Sequence, residues 1–222
     1  MDATLLLLAD GRLPSGGHAH SGGLEQAVVD GRVRTVADVG LFVRGVLAGS
    51  AIASAALAAV SCAQAGCWDV LTAEFNARTP SAAARSVAEA QGRALLRTGR
   101  RVWPSTALET LAAFSDRPPL PVVQGAVAYS AGLNPAAAAI ACCHGIVSGA
   151  ASAGVRLLGL DPIEVSVMLA GVTAEVDRVA ALAATFADTD LHRLAELPAG
   201  TGPLLDILAE RHHHREMSLF AS

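Results

Sequence analysis

Apolar positions recur along this chain at intervals of three and four residues, the spacing of a helix with one buried face. Thr35-Val36-Ala37-Asp38 opens such a run, placing Val39, Phe42, Val43, Val46 and Leu47 on one side. Thr35 with Asp38 three residues later is also the pairing of a capping box. The pattern continues toward Ala65 and stops near Gly66. A helix is expected from Trp68 through Ala77, with Asp69 at its start and Pro80 beyond it. Ser81 caps the next, in which Val87, Ala90, Ala94, Leu95 and Thr98 fall at helical spacing before Pro104 ends it. Ser105 to Phe114 reads as a short helix, followed by the Pro118-Pro119-Leu120-Pro121 break. Val122 to Ala131 is apolar enough for another, stopped by Gly132. Asn134-Pro135 and Asp161-Pro162 each set an N-cap before a proline at the first helical position, and the second opens a run toward Phe186. Alternating β-branched runs joined by hairpin turns do not occur. The expected fold class is therefore all-α, a single helical domain of about eight to ten helices.

Composition narrows this picture. Hydrophobic residues make up 52% of the 222 and charged residues only 16%. Such an excess suits either a membrane protein or one whose surfaces are covered by partners. Gly45 to Trp68 and Pro118 to Val155 carry no Asp, Glu, Lys or Arg and are long enough to span a bilayer. Both are built from Ala, Gly and Ser, with neither an aromatic belt nor a flanking Lys/Arg bias, which favours a helical core without membrane spans. A small helical membrane protein stays as the alternative. The net charge of −4 provides no footprint for a nucleic acid. Arg85 to Arg101 is the one local concentration of positive charge, spread along a helical pattern with Glu89 among it, and reads as a solvated face. Cys62, Cys67, Cys142 and Cys143 have neither metal nor disulfide spacing, so free thiols in a reducing, cytoplasmic setting are expected. Met1-Asp2 precedes the leucines without a basic region, so no secretory signal is expected.

Special backbone and proton chemistry concentrates in Pro14-Ser15-Gly16-Gly17-His18-Ala19-His20-Ser21-Gly22-Gly23-Leu24-Glu25. Glycine pairs permit left-handed backbone and close approach, while histidines bind metal, move protons or satisfy loop hydrogen bonds. A phosphate cradle would need a Gly-Lys-Ser/Thr ending, and no lysine follows. A His-x-His hydrolase site would need further His and Asp ligands from strand ends, whereas His144, His192 and His212 to His214 fall in helix or tail. The third reading is a tight turn feeding a helix, with Ser21 as N-cap and Glu25 in the first turn, where a carboxylate suits the helix dipole.

The end of the chain differs in kind. Gly200, Gly202 and Pro203 set off a segment mixing Leu204, Leu205, Ile207, Leu219 and Phe220 with His212, His213 and His214. Hydrophobic anchors on an exposed tail fit a docking segment, giving a division into a helical body at 1–202 and a docking tail at 203–222. Consecutive histidines spread around a helix axis, so at most two could share one metal.

Two stretches carry a family resemblance. Leu6-Leu7-Leu8-Ala9-Asp10-Gly11-Arg12-Leu13, then Pro14 through Glu25, resembles the leucine-rich opening of the UreF urease accessory proteins, with its Pro-x-Gly-Gly and Ser-Gly-Gly-Leu-Glu. Pro203-Leu204-Leu205-Asp206-Ile207, then His212, then Leu219-Phe220-Ala221-Ser222, resembles that family's Leu-Asp-Ile, His and Leu-Phe-x-Ser ending. Gln91 to Leu96 and Val155 to Leu160 extend the likeness through the middle. His18 and Leu160 depart from the family pattern, and the tail lacks the family's two arginines beside Leu219-Phe220, which removes charge-assisted contacts there.

The resemblance implies a non-catalytic, all-helical maturation factor without a cofactor. It would form a homodimer and bind UreD (also called UreH) and the GTPase UreG, and the assembly would deliver nickel to apo-urease. The partner-binding residues it implies are Gly16, Gly17, His20, Ser21, Gly22, Gly23, Leu24, Glu25, Leu205, Asp206, Ile207, His212, Leu219 and Phe220. No tight metal site is expected; His20 and His212 are candidates for transient nickel contact. Neither a nucleic acid nor a membrane is among the expected partners, and a metal-dependent hydrolase remains a less favoured alternative.

Overall fold

The structure is a computed structural model that describes residues 3–200, 202–215 and 218–220, with His18 described in its backbone only. Among these residues there are twelve α-helices and no strand: α1 Ala3–Ala9, α2 Leu24–Val29, α3 Val36–Ala48, α4 Ser50–Ala63, α5 Trp68–Arg78, α6 Ala82–Val102, α7 Thr106–Phe114, α8 Leu120–Ser130, α9 Pro135–Leu158, α10 Pro162–Ala170, α11 Thr173–Ala184 and α12 Pro203–His213. The all-α single-domain reading holds. The predicted starts rest on their caps: Thr35 and Asp38 form a reciprocal capping box, and the side chains of Ser81, Ser105, Asn134 and Asp161 each accept from an amide of the first turn.

Two runs that read as continuous are divided. The apolar run from Thr35 bends by 51° at Gly49, separating α3 from α4. The run from Asp161 breaks at Gly171 and Val172 into α10 and α11. Glycine gives up little by leaving the helical conformation, so an apolar period passes through such a point without recording the bend.

At the centre α4 packs against α8 and α9, and α11 covers α4 and α9. Small residues make this approach possible. A Cβ on Gly125 of α8 would stand 2.3 Å from the Ala58 carbonyl oxygen of α4, and Ser61 donates to the Val122 carbonyl across the same contact at 2.7 Å. On α6 the buried positions are Ala83, Gly92, Leu95, Leu96 and Gly99, while Val87, Ala90, Ala94 and Thr98 are only half-buried. The core face is thus turned from the apolar one because two glycines belong to it; Gly99 abuts Val127 of α8.

α9 is long and apolar enough to cross a membrane, and the bent α3–α4 pair passes the same criterion jointly. Both are central to the packing here: α9 contacts α4, α8 and α11, among other helices, and α4 contacts α8 and α9. The alanine- and glycine-rich composition is what lets those helices pack closely. Cys62, Cys142 and Cys143 are buried in this core and all four cysteines are unpaired; burial pushes the Cys62 thiol up to about 11 and Cys143 to about 12.

The tail is folded back rather than extended. α12 lies on α2 and α6, burying Leu208 and His212, and the segment after it returns Phe220 to the core.

Candidate functional site

The glycine-histidine segment begins on α6. The Thr98 hydroxyl donates to the Pro14 carbonyl at 2.5 Å, and Gly16, at φ 79°, lies against Ala94. A short 3-10 turn, Gly17–Ala19, carries the chain over α9 to His20. Gly22 and Gly23 then reverse direction at φ 61° and 89°, backbone that an L side chain rarely adopts. The N-cap of α2 is Gly23, not Ser21. Ser21 still serves the first turn, because its hydroxyl accepts from the Glu25 amide at 3.2 Å. A Cβ on Gly23 would lie 3.7 Å from the Leu208 Cβ, so the glycine faces α12 directly.

This reversal buries Leu24 completely and leaves Glu25 only 4% exposed. The Glu25 carboxylate is a clamp on the end of the chain. One oxygen accepts the Leu219 amide at 2.8 Å and the other the Phe220 amide at 2.9 Å. Arg215 reaches the first oxygen at 3.5 Å, and His212 Nε2 stands 4.0 Å from the second. A buried carboxylate needs such donors, since each lone pair left without one carries the full cost of desolvation.

Phe220 is held by two further contacts. Its carbonyl lies 3.3 Å from His212 Nε2, the Arg156 guanidinium sits 4.4 Å from its ring centroid, and the side chain is 3% exposed. A cation over an aromatic face is attractive by about 0.5–2 kcal/mol. His212, 5% exposed, thereby meets the carbonyl through Nε2, while its Nδ1 has no hydrogen-bond partner among the described residues. His20 is half-buried nearby. Burial first, and then the charge of His212, lower its pKa from the ordinary 6.5.

Further along the seam, Arg211 pairs with Asp30 of the α2 C-cap at 2.6 Å, and Asp30 also accepts from Gln26 at 2.8 Å. On the other side of α12, Glu210 accepts from the Ser81 hydroxyl at 2.6 Å and the Ala83 amide at 3.0 Å, which fastens α12 to the start of α6 and holds its carboxyl below the usual range. Asp206 is half-buried, and desolvation raises its pKa.

The structure therefore brings His20, Ser21, Gly23, Leu24 and Glu25 together with Leu205, His212, Leu219 and Phe220 in one junction. Gly16 and Gly17 lie apart from it, along α6 and α9, and Asp206 sits on the α6 side of α12. The apolar tail residues divide by role: Phe220 is an internal anchor, whereas Leu219 is 60% and Ile207 54% exposed. Of the Leu-Phe-x-Ser motif, Ala221 and Ser222 fall outside the described residues. Arg156, Asp30, Arg211 and Arg215 also belong to the junction and were not singled out from the sequence. Their partners lie far along the chain, so no local spacing marks them, although Arg156 stands within the Val155 to Leu160 stretch. Among the described residues no group of three or more His, Cys, Asp or Glu is arranged to hold a metal ion.

Comparison with known proteins places the chain in a family. The UreF family profile matches residues 33–173. The urease accessory protein UreF of Mycobacterium sp. (strain JLS) is 44% identical over 223 aligned residues, spanning 99% of this chain and 98% of that protein. UreF of Mycolicibacterium vanbaalenii is 40% identical over 223, and that of Mycobacterium tuberculosis 39% over 220, with the same shares of each chain covered. At this identity and coverage the chain belongs to the UreF family of urease accessory proteins.

Proposed function

We propose that this chain is a non-catalytic scaffold of urease maturation in the cytoplasm, which binds a UreD (UreH)-type protein and the GTPase UreG so that nickel is inserted into apo-urease. The observation that carries this reading, beside the family, is the Glu25 junction. It joins the start of α2 to the tail and leaves Leu204, Ile207 and Leu219 exposed. Exposed apolar side chains on an ordered frame bury area on binding at little cost in chain entropy. In this reading 203–222 acts as a docking element pre-set by its own body, and the backbone amides held by Glu25 do not depend on the arginines that the tail lacks.

Self-association is part of the proposal. Ile163 and Val167 of α10 and Leu41 of α3 are 73%, 68% and 69% exposed on two helices that pack together, an apolar face of the kind a homodimer covers. Nickel is cargo here. His20 and His212 face a common region and offer at most a passing contact, with tight ligation left to other proteins.

Ile207→Asp and Leu219→Asp test the docking role without touching a buried group. Both variants are expected to retain the helical circular dichroism of the parent and to lose at least tenfold in affinity for the UreD-type protein by co-purification and titration. Undiminished binding by both would overturn the tail's role in docking.

A further inference from the structure

The arginines of α6 divide into those with partners and those without. Arg100 pairs with Glu109 of α7 at 2.5 Å and Arg85 donates to the carbonyls of Thr79 and Pro80, while Arg117, between α7 and α8, closes on Glu89 of α6 at 2.8 Å. Arg93, Arg97 and Arg101 are exposed and make no ion pair or side-chain hydrogen bond among the described residues. Their spacing of four puts them in one row, rising about 6 Å from each to the next. Like charges at this spacing disfavour the helix that carries them. Complementing the negative helix terminus accounts for Arg101 in the last turn, but Arg93 lies two turns earlier, where that effect has faded. The row borders the Pro14–Gly16 turn, since Ala94 and Thr98, one position on from Arg93 and Arg97, are its contacts.

We propose that Arg93, Arg97 and Arg101 form a docking strip for an acidic helix of a partner protein, with carboxylates at every fourth position. This does not rest on the identity of the assembly proposed above. A guanidinium presents two parallel donors to a carboxylate, and two helices laid side by side bring equal spacings into register. The strip is about 12 Å long on a chain of net charge −4. That net charge repels any polyanion at long range, so the strip acts through short-range, register-matched pairs, and the DNA competitor below separates carboxylates from phosphates.

The test uses the full chain and a labelled helical peptide of about 20 residues with Glu at every fourth position, followed by fluorescence anisotropy at low and physiological salt. A peptide of identical composition with its glutamates scattered around the helix and a DNA duplex of similar length serve as competitors. The patterned peptide is expected to bind best and to weaken with salt, and R93E/R97E/R101E is expected to bind it about tenfold or more weakly. R193E, which removes an exposed arginine paired with Glu196 elsewhere, is expected to leave binding unchanged. R93Q/R97Q/R101Q, which removes charge without reversing it, is expected to fall between. No binding by the parent chain, equal binding by the triple variants, or preference for DNA overturns the proposal.

Discussion

Glu25 is the residue at which the start of α2 meets the described end of the tail. Replacing it with Ala leaves the Leu219 and Phe220 amides without their acceptor and is expected to loosen the tail by about 1–3 kcal/mol. Hydrogen exchange checks this directly: the two amides lose protection while those of α4 and α8 keep theirs, and unchanged protection at Leu219 and Phe220 counts against the clamp. His20 gives the junction a pH dependence with a defined sign. Its pKa is lowered in the folded chain, so the unfolded chain binds the proton more readily. The stability it contributes is complete above the ordinary 6.5 and is lost as the pH falls below that value toward the lowered folded one. His20→Gln is therefore expected to reduce the loss of urea resistance between about pH 7.5 and about pH 5.5, which titrations at the two pH values compare with the parent. An equal loss in the variant would assign the acid sensitivity to other groups.

At the scale of elements, the contact between α4 and α8 depends on a missing side chain. Ala at position 125 would place its Cβ against the Ala58 carbonyl, with the Ser61 Cβ at 2.5 Å and the Cys62 amide at 2.8 Å. Backbone atoms cannot step aside as a flexible side chain can, so the two helices must separate. Gly125→Ala is expected to cost about 1–3 kcal/mol, seen as a fall of about 2–4 °C in Tm for each kcal/mol in a domain of this size. A melting temperature equal to that of the parent would mean the approach relaxes freely. The same close contact explains what was legible in the sequence at this scale. Caps such as Asn134-Pro135 and Ser81 are local chemistry and could be read directly. The buried face of α6 could not, because Gly92 and Gly99 carry no apolar signal and are buried for their size.

Across the molecule, the paired faces of the central helices are alanine- and glycine-rich, while exposed apolar side chains are spread over many helices, with Leu41, Ile163 and Val167 the most exposed of them. These three stand on α3 and α10, which pack together, and that concentration predicts association through this face. Ile163→Asp with Val167→Asp is expected to shift the chain to a smaller species in sedimentation analysis, and a parent that sediments as a monomer would remove α10 as a self-contact. α10 buries only Val165, so the change spares the core.

By itself the sequence determined the all-α class, most helix starts and the family, because periodicity, caps and short motifs are written in neighbouring residues. It also marked both terminal segments as special. Only the tertiary structure decided that they meet, that Glu25 holds the tail through backbone amides, and that Phe220 is an anchor while Leu219 faces outward. Backbone donors are the same at every residue, and a contact between Glu25 and Phe220 is made by the path of the whole chain; no local pattern can encode either.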